Sequence, residues 1–504
     1  MFCKLISYCL NGIDTVKVDV EIDLSDGLPY FDIVGLANSS VKESKERVRS
    51  AIRNSGFEFP IKRITINLAP ADMRKEGCIY DLPIALGILC CIGIIREEKL
   101  KNTLFIGELA LDGSLRQVRG ILPILCATKQ DKIENCVIPY SNYEEAYALD
   151  TSGIIGANSL YEIVSYLNDD KPLRPFLQTG TSSKHENTLD FKDVKGQENA
   201  KKGLMICAAG FHHALLIGPP GSGKTMLAKR IPSILSPLTH DESIEVTKIY
   251  SIANKLPDCS IIRTRPFRSP HHTISIHGLT GGGASPKPGE ISLAHLGVLF
   301  LDELLEFNRQ TLETLRQPIE NHKVTLSRAN YTVTYPARFL FVASTNPCPC
   351  GYYPDTKKCS CSISAIRKYL GKLSGPLLDR IDIHMETHPI PLASMHTTDS
   401  LSSKDMYKRV KIAEEIQRDR YANDLISYNS ELTPELIKKY CKLSQSGVKL
   451  LNIWYEKTSS SARLYDKIIK LSRTIADLNQ SELIHEEHVA EAISFRKLDS
   501  NFWE

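Results

Sequence analysis

The sequence has no long apolar run. Its longest, Leu82–Ile95, is broken by Pro83, Gly87 and Gly93. A membrane-crossing helix needs about 20 predominantly apolar residues, so this stretch predicts a buried helix and no membrane partner. Met1 to Leu10 holds one lysine and a broken apolar stretch without an h-region or cleavage site, so no secretory leader is expected. A soluble, cytoplasmic protein is the expectation. Charge of one sign is also scarce. The 62 Lys and Arg stand against 59 Asp and Glu, a net of +3. Bulk charge therefore neither requires nor excludes a nucleic-acid partner, and any basic surface must be local. No repeat of solenoid period is present, which excludes an array fold.

What is there is an ordinary globular composition, 42% hydrophobic and 24% charged, over 504 residues. That length is too great for one core and predicts two or three domains. Residues 1 to about 167 mix strand and helix patterns: Val16–Ile22 and Arg63–Leu68 alternate like strands, and Ser40–Asn54 is helical in period. An α+β or α/β domain fits. Residues 168–188 are polar and rich in Pro, Gly, Ser and Thr, a linker composition. Residues 189 to about 390 alternate strands, Gly-rich loops and helices, as in an α/β sheet domain. From about 391 the pattern is helical, with Ser461–Leu478 and His485–Arg496 the clearest helices.

Gly218–Pro219–Pro220–Gly221–Ser222–Gly223–Lys224–Thr225 fits the phosphate-binding pattern G-x-x-x-x-G-K-[ST] in full. An apolar strand, Ala214–Ile217, precedes it, and Met226–Leu235 follows with helical period. Glycines let backbone N–H groups close around phosphate oxygens, and the helix N-terminus adds partial positive charge. Lys224 is the residue for the β- and γ-phosphates of ATP, and Thr225 a ligand for Mg²⁺. The apolar run Val298–Leu301 ends in Asp302–Glu303. Carboxylates at the C-terminal end of a buried parallel strand face the ligand crevice. Asp302 is expected to hold Mg²⁺ and Glu303 to polarise the attacking water. A third strand, Phe339–Ala343, leads to Ser344–Thr345–Asn346. Asn346 is the expected water-orienting side chain, with Thr345 its neighbour.

These motifs and their flanks are specific enough to name a family. The chain resembles the ComM (YifB) family of magnesium-chelatase-like AAA+ ATPases over nearly its whole length. The resemblance is carried by FDIVGLANSSVKESKERVRSAIRNSGFEFP (31–60), RITINLAPADMRKEG (63–77), RPFRSPHHTIS (265–275), GGGASPKPGEISLAHLGVLFLDEL (281–304), NPCPCGYY (346–353), SGPLLDRIDIH (374–384) and SARLYDKIIKLSRTIADL (461–478). It implies a Lon-protease-like N-terminal domain over 1–167, an AAA+ core over 189–390 and a helical lid over 391–504. It also implies a ring, a hexamer by family habit, acting on DNA by ATP-driven branch migration in natural transformation. It assigns Arg380 as an arginine finger reaching a neighbour's γ-phosphate and Arg463 as the sensor arginine of the lid.

A Lon-like protease would need a serine after the RKEG turn and a lysine after LDGSLRQVRGILP. Ile79 and Ile124 stand near those places. Cys78 is the one alternative nucleophile, with no evident base. A non-catalytic interaction module is expected. Of the 14 cysteines, four crowd into C-x-C-x8-C-x-C as Cys348, Cys350, Cys359 and Cys361. This spacing suits a tetrahedral thiolate site for structural zinc. Two disulfides or free thiols are the competing readings. For DNA, Lys323–Arg338 reads as a hairpin turning near Ala329–Asn330. In relatives with a hairpin here it points into the ring channel. Lys323, Arg328 and Tyr331 are its candidate contacts. The loop Arg263–Lys287 offers Arg265, Arg268, His271 and His272. A protein-remodelling ATPase is the alternative function, since the ATP machinery would be the same.

Overall fold

The computed structural model describes residues 1–73, 75, 77–147, 149, 153–169, 173, 189–256, 261–283, 286–328, 331–389, 400–458 and 461–496. The linker expected over 168–188 lies outside them except at 168, 169 and 173, and so does the turn at Ala329–Asn330. Two compact units are formed. One comprises Met1–Ser183 with His240–Ile262, the other Lys184–Thr239 with Arg263–Glu504. The helix His240–Ala253, which follows the phosphate-binding pattern in sequence, thus belongs to the first unit.

The first unit is built on a seven-stranded mixed sheet. Its alternating strand Asp14–Ser25 buries Val18, Val20, Ile22 and Leu24 and pairs antiparallel with both Phe2–Asn11 and Arg63–Ala69. The helix Ser39–Asn54 starts where the Asn38 side chain accepts from the Val41 N–H at 3.0 Å. The apolar stretch becomes the buried helix Asp81–Cys91 and stops there, because Gly93 turns the chain at φ +81°. Asp81 is fully buried and tolerated because Arg47 Nε donates to it at 2.7 Å and Ser44 donates as well. Ile79 and Ile124 are both buried in the core. Burial, then the Asp81 carboxylate, pushes the Cys78 thiol up to about 11, so it is no thiolate nucleophile near neutral pH.

The second unit holds a five-stranded parallel sheet, ordered Phe267–Arg268, Val298–Leu301, Leu340–Thr345, Ala214–Ile217, Ile383–Glu386. Its three central strands are buried residue by residue, which is why they read as continuous apolar runs. The helical period over Met226–Leu235 is realised differently from the expectation. A short helix, Lys224–Ala228, is followed by a 3-10 turn, Ile231–Ile234. Pro232 explains the break: it lacks an N–H, and its ring would clash with the carbonyl one turn back. After residue 400 the described chain is helical, with Ser403–Arg420, Pro434–Tyr440, Gln445–Thr458, Ala462–Leu478 and Glu486–Ser494. Three of these helices are N-capped by Ser402, Thr433 and Ser461. Their apolar faces share one core with Val298, Leu340, Val342 and Ile383 of the sheet. No helix among the described residues is long and apolar enough to cross a membrane.

Candidate functional site

The crevice at the carboxyl ends of the parallel strands gathers the sequence motifs. The first strand of the unit, Ala214–Ile217, lies between Leu340–Thr345 and Ile383–Glu386, so the loop leaving it opens where the strand order reverses. This is the place where open α/β sheets bind ligands. That loop is Gly218–Gly223. A Cβ at Gly218 would lie 2.2 Å from Thr387 Oγ1, so only glycine fits against the neighbouring strand end. Gly221 and Gly223 take φ of +75° and +89°. Ser222 Oγ meets Thr387 Oγ1 at 2.8 Å, and Gln197 Nε2 donates to the Ser222 carbonyl at 3.1 Å, which ties down the far side of the loop.

Lys224 folds back into the loop. Its ammonium donates to the Gly218 and Pro219 carbonyls at 2.7 and 2.9 Å and to Asn346 Oδ1 at 3.2 Å. Burial pushes its pKa down to about 8 against the pull of Asp302 and Glu303. Thr225 Oγ1 donates to Asp302 Oδ2 at 2.6 Å. The structure therefore brings Lys224, Thr225, Asp302 and Asn346 into one cluster. Two hard oxygen donors side by side suit Mg²⁺. Thr345 is nearly fully buried and donates to the Asn346 carbonyl at 3.2 Å.

Ser344 was missed as a site residue. Its hydroxyl donates to Asp302 Oδ1 and so fixes that carboxylate. The signal was register: Leu301 pairs with Ala343, which sets Asp302 beside Ser344. Glu303 sits at φ +52°, the left-handed region, costly for a side chain of this length and typical of functional sites. Its carboxylate is half exposed and lies 3.7 Å from His272 Nδ1. His272 in turn lies against His271, the rings tilted by 34° with centres 4.1 Å apart. The basic loop thus approaches Glu303.

Two residues expected at DNA have partners within the fold. Arg265 points inward: it is 9% exposed, and its guanidinium donates to the Ser236 and Leu296 carbonyls at 2.5 and 2.8 Å. Those bonds hold its guanidinium inside the fold, away from a phosphate. Arg268 is paired with Glu290 at 2.6 Å. The hairpin is present as Lys323–Arg328 paired with Tyr331–Pro336. Lys323 is exposed, while the side chains of Arg328 and Tyr331 lie outside the described residues.

Arg380 and Arg463 meet on one carboxylate. Glu320 Oε1 lies 2.6 Å from Arg380 Nη2 and 3.1 Å from Arg463 Nη2. Arg380 also donates to the Pro376 carbonyl at 2.6 Å. Among the described residues no hydrogen bond or ion pair joins either arginine to Lys224, Thr225, Asp302, Glu303 or Asn346 of the same chain. Glu320 carried no recognisable motif in the sequence, because its role exists only through two partners distant in the chain.

The four clustered cysteines converge. Their sulfurs all lie within 4.8 Å of one another. Cys348 and Cys350 are 3.4 Å apart, Cys348 and Cys359 3.8 Å, and Cys350 and Cys359 3.6 Å. A tetrahedral ion with metal–sulfur bonds of about 2.3 Å requires sulfurs about 3.8 Å apart, so the donor set fits zinc.

Comparison with known proteins agrees with this architecture. The family described as "Magnesium chelatase, subunit ChlI" matches residues 190–395. "Subunit ChlI of Mg-chelatase" matches 20–142, and "Magnesium chelatase, subunit ChlI C-terminal" matches 400–496. Competence protein ComM of Haemophilus influenzae is 42% identical over 493 residues, covering 97% of this chain and 96% of the relative. The chain belongs to the ComM/YifB family of magnesium-chelatase-like AAA+ proteins. Within it, the YifB protein of Escherichia coli is 43% identical over 497 residues, 97% of this chain and 96% of its own. A more distant likeness, 22% over 336 residues and 59% of each chain, is to Lon protease 2 of Bacillus subtilis. Family membership points to an ATPase that assembles into oligomers.

Proposed function

We propose that this family member is a ring-forming ATPase, a hexamer, that drives DNA branch migration as a helicase in recombination and natural transformation. The observation that carries the reading is the Lys224–Asn346 and Thr225–Asp302–Ser344 cluster at the switch point of the parallel sheet. It stands in a chain similar throughout to a relative named as a competence protein. Lys224 neutralises phosphate oxygens of ATP once its ammonium leaves the loop carbonyls. Thr225 and Asp302 would hold Mg²⁺, which supplies charge neutralisation across the phosphates when bound. Glu303 orients the attacking water and Asn346 contacts it or the γ-phosphate. Arg380, with Arg463 beside it on Glu320, supplies positive charge to the nucleotide of a neighbouring subunit. Cys348, Cys350, Cys359 and Cys361 hold a structural zinc ion. The first unit serves as a non-catalytic interaction module. The second reading, a chelatase-like ATPase that remodels a protein complex, is favoured by the chelatase descriptions along all three stretches of the chain.

DNA contact is assigned to the hairpin, through Lys323, Arg328 and Tyr331. Single-stranded or branched DNA should stimulate ATP hydrolysis, and binding should weaken with salt as counterions compete. Replacing Lys323 and Arg328 together by Ala should cut stimulation and spare basal hydrolysis. A four-way junction should be resolved to two-way products only with hydrolysable ATP. Rings that form with ATP yet neither bind DNA nor respond to it across a range of salt would pass the role to the remodelling reading.

A further inference from the structure

The cysteine cluster does not stand apart from the nucleotide site. Cys348 follows Asn346 by two residues and is fully buried, in the same hydrophobic core as Ile217, Ala343 and Tyr369. The chain then turns, the Gly351 N–H donating to the Cys348 carbonyl at 3.0 Å. At Gly351 it presses against the loop itself. A Cβ built there would lie 2.6 Å from Pro220 Cδ and 3.7 Å from Asn346 Cγ. Gly351 takes φ +85°, so both its space and its backbone exclude a side chain. The second pair of cysteines leads into the helix Ile363–Leu370, whose N-cap is Ser362, next to Cys361. One set of four thiols therefore joins the end of the Asn346 strand, the outer wall of the phosphate-binding loop and the start of that helix.

We infer that the metal held by these four thiolates is part of the nucleotide-sensing apparatus: it fixes Asn346 and the Gly351–Pro220 contact in the geometry that hydrolysis needs. The inference rests on the ATPase and zinc readings proposed above and gives the zinc a catalytic-positioning role. Without the ion, four thiols at these separations lose their common anchor. The segment 347–351 then keeps its turn, the burial of Cys348 and the packing of Gly351 on Pro220, but is no longer tied through the metal to the second cysteine pair. Asn346, at the root of that segment, loses its fixed direction towards Lys224. Binding depends on the loop backbone and Lys224, which remain, so it should survive better than turnover. A displacement of about 1 Å in a positioning group can cost roughly a hundredfold in rate.

The test uses the full-length protein with three readouts: zinc content by elemental mass spectrometry, affinity for a fluorescent ATP analogue, and kcat. About one zinc per chain is expected, as one tetrahedral site requires. Stripping it with a chelator should lower kcat by roughly tenfold to a hundredfold while nucleotide affinity changes little, and zinc should restore the rate. In Asn346→Ala the positioned group is already gone, so stripping should cost no further activity, a non-additivity that a merely structural ion would not produce. Equal losses in wild type and Asn346→Ala would overturn the inference, as would a zinc-free native protein or an unchanged kcat. Should stripping unfold the chain, Gly351→Ala decides. It keeps all four thiols and the zinc but drives Gly351 off Pro220, so kcat should fall with little change in affinity, and a wild-type kcat in that variant would overturn the inference too. Zinc-loaded wild type no more active than Lys224→Ala would instead sink the ATPase reading.

Discussion

At the scale of single residues, Lys224 sets a pH dependence with a definite sign. Burial lowers its folded, nucleotide-free pKa to about 8. Phosphate oxygens favour the ammonium, so nucleotide binding raises the value again. Above about pH 8 the free protein has begun to lose this proton, and binding must recover it. ATP affinity is therefore expected to fall as pH rises past that point. Binding near pH 8.5, roughly midway in this window, should take up a proton, read by calorimetry as a dependence of the heat on buffer ionisation enthalpy. In Lys224→Arg the cation cannot deprotonate and the uptake should vanish. Heats that do not depend on buffer in the wild type would show that Lys224 is already fully charged in the free site.

At the scale of elements, the helix Ala462–Leu478 is tied to the end of the sheet by one buried ion pair. Lys467 Nζ lies 2.8 Å from Asp382 Oδ1, and the His213 N–H donates to Asp382 Oδ2 at 3.0 Å. Burial works against ionisation of Asp382, but Lys467, then His212 and His213, outweigh it and hold the carboxyl well below its usual range. A depressed carboxylate stabilises the fold above the unfolded value, about pH 4, and that contribution is lost as pH falls below it towards the folded value. Asp382→Asn should destabilise at neutral pH by on the order of 3 kcal/mol, because it leaves Lys467 buried without its partner. The same variant should lose less stability than wild type as pH falls below about 4, where the unfolded chain takes up the proton that folded Asp382 still resists. Denaturant titrations across that range check both, and parallel acid limbs in the two proteins would remove Asp382 from the acid response. The pair sits two residues from Arg380, so the element that carries Arg380 is also the one the helix anchors.

At the scale of the whole molecule, Arg380 and Arg463 are where the proposed assembly can be tested. Both are gathered on Glu320 and neither touches the Lys224–Asp302–Asn346 cluster of its own chain. If they serve a neighbour's nucleotide, Arg380→Ala should bind ATP normally and hydrolyse poorly. Mixed with Glu303→Gln, it should regain activity at interfaces that pair an intact Arg380 with an intact Glu303. Subunit exchange shown by a labelled mixture, with no recovery of hydrolysis, would argue that each site is complete within one chain.

The sequence by itself determined the nucleotide-binding unit. The P-loop glycines, the apolar strand before Asp302 and the strand before Asn346 were legible because each is a contiguous segment. A buried parallel strand must be apolar throughout, and a phosphate loop needs glycine where a Cβ would clash. The cysteine spacing was legible for the same reason, since a chelate loop is local. The fate of individual charges was not. Arg265 and Arg268 look alike in sequence to a basic binding loop, yet one is buried on carbonyls and the other paired with Glu290. Ser344 on Asp302, Glu320 between two arginines and Gly351 against Pro220 likewise have no signature of their own. Only the tertiary structure decided these, because a polar side chain's role is set by which distant group satisfies it. That pairing is a property of the folded neighbourhood, which no local pattern of residues encodes.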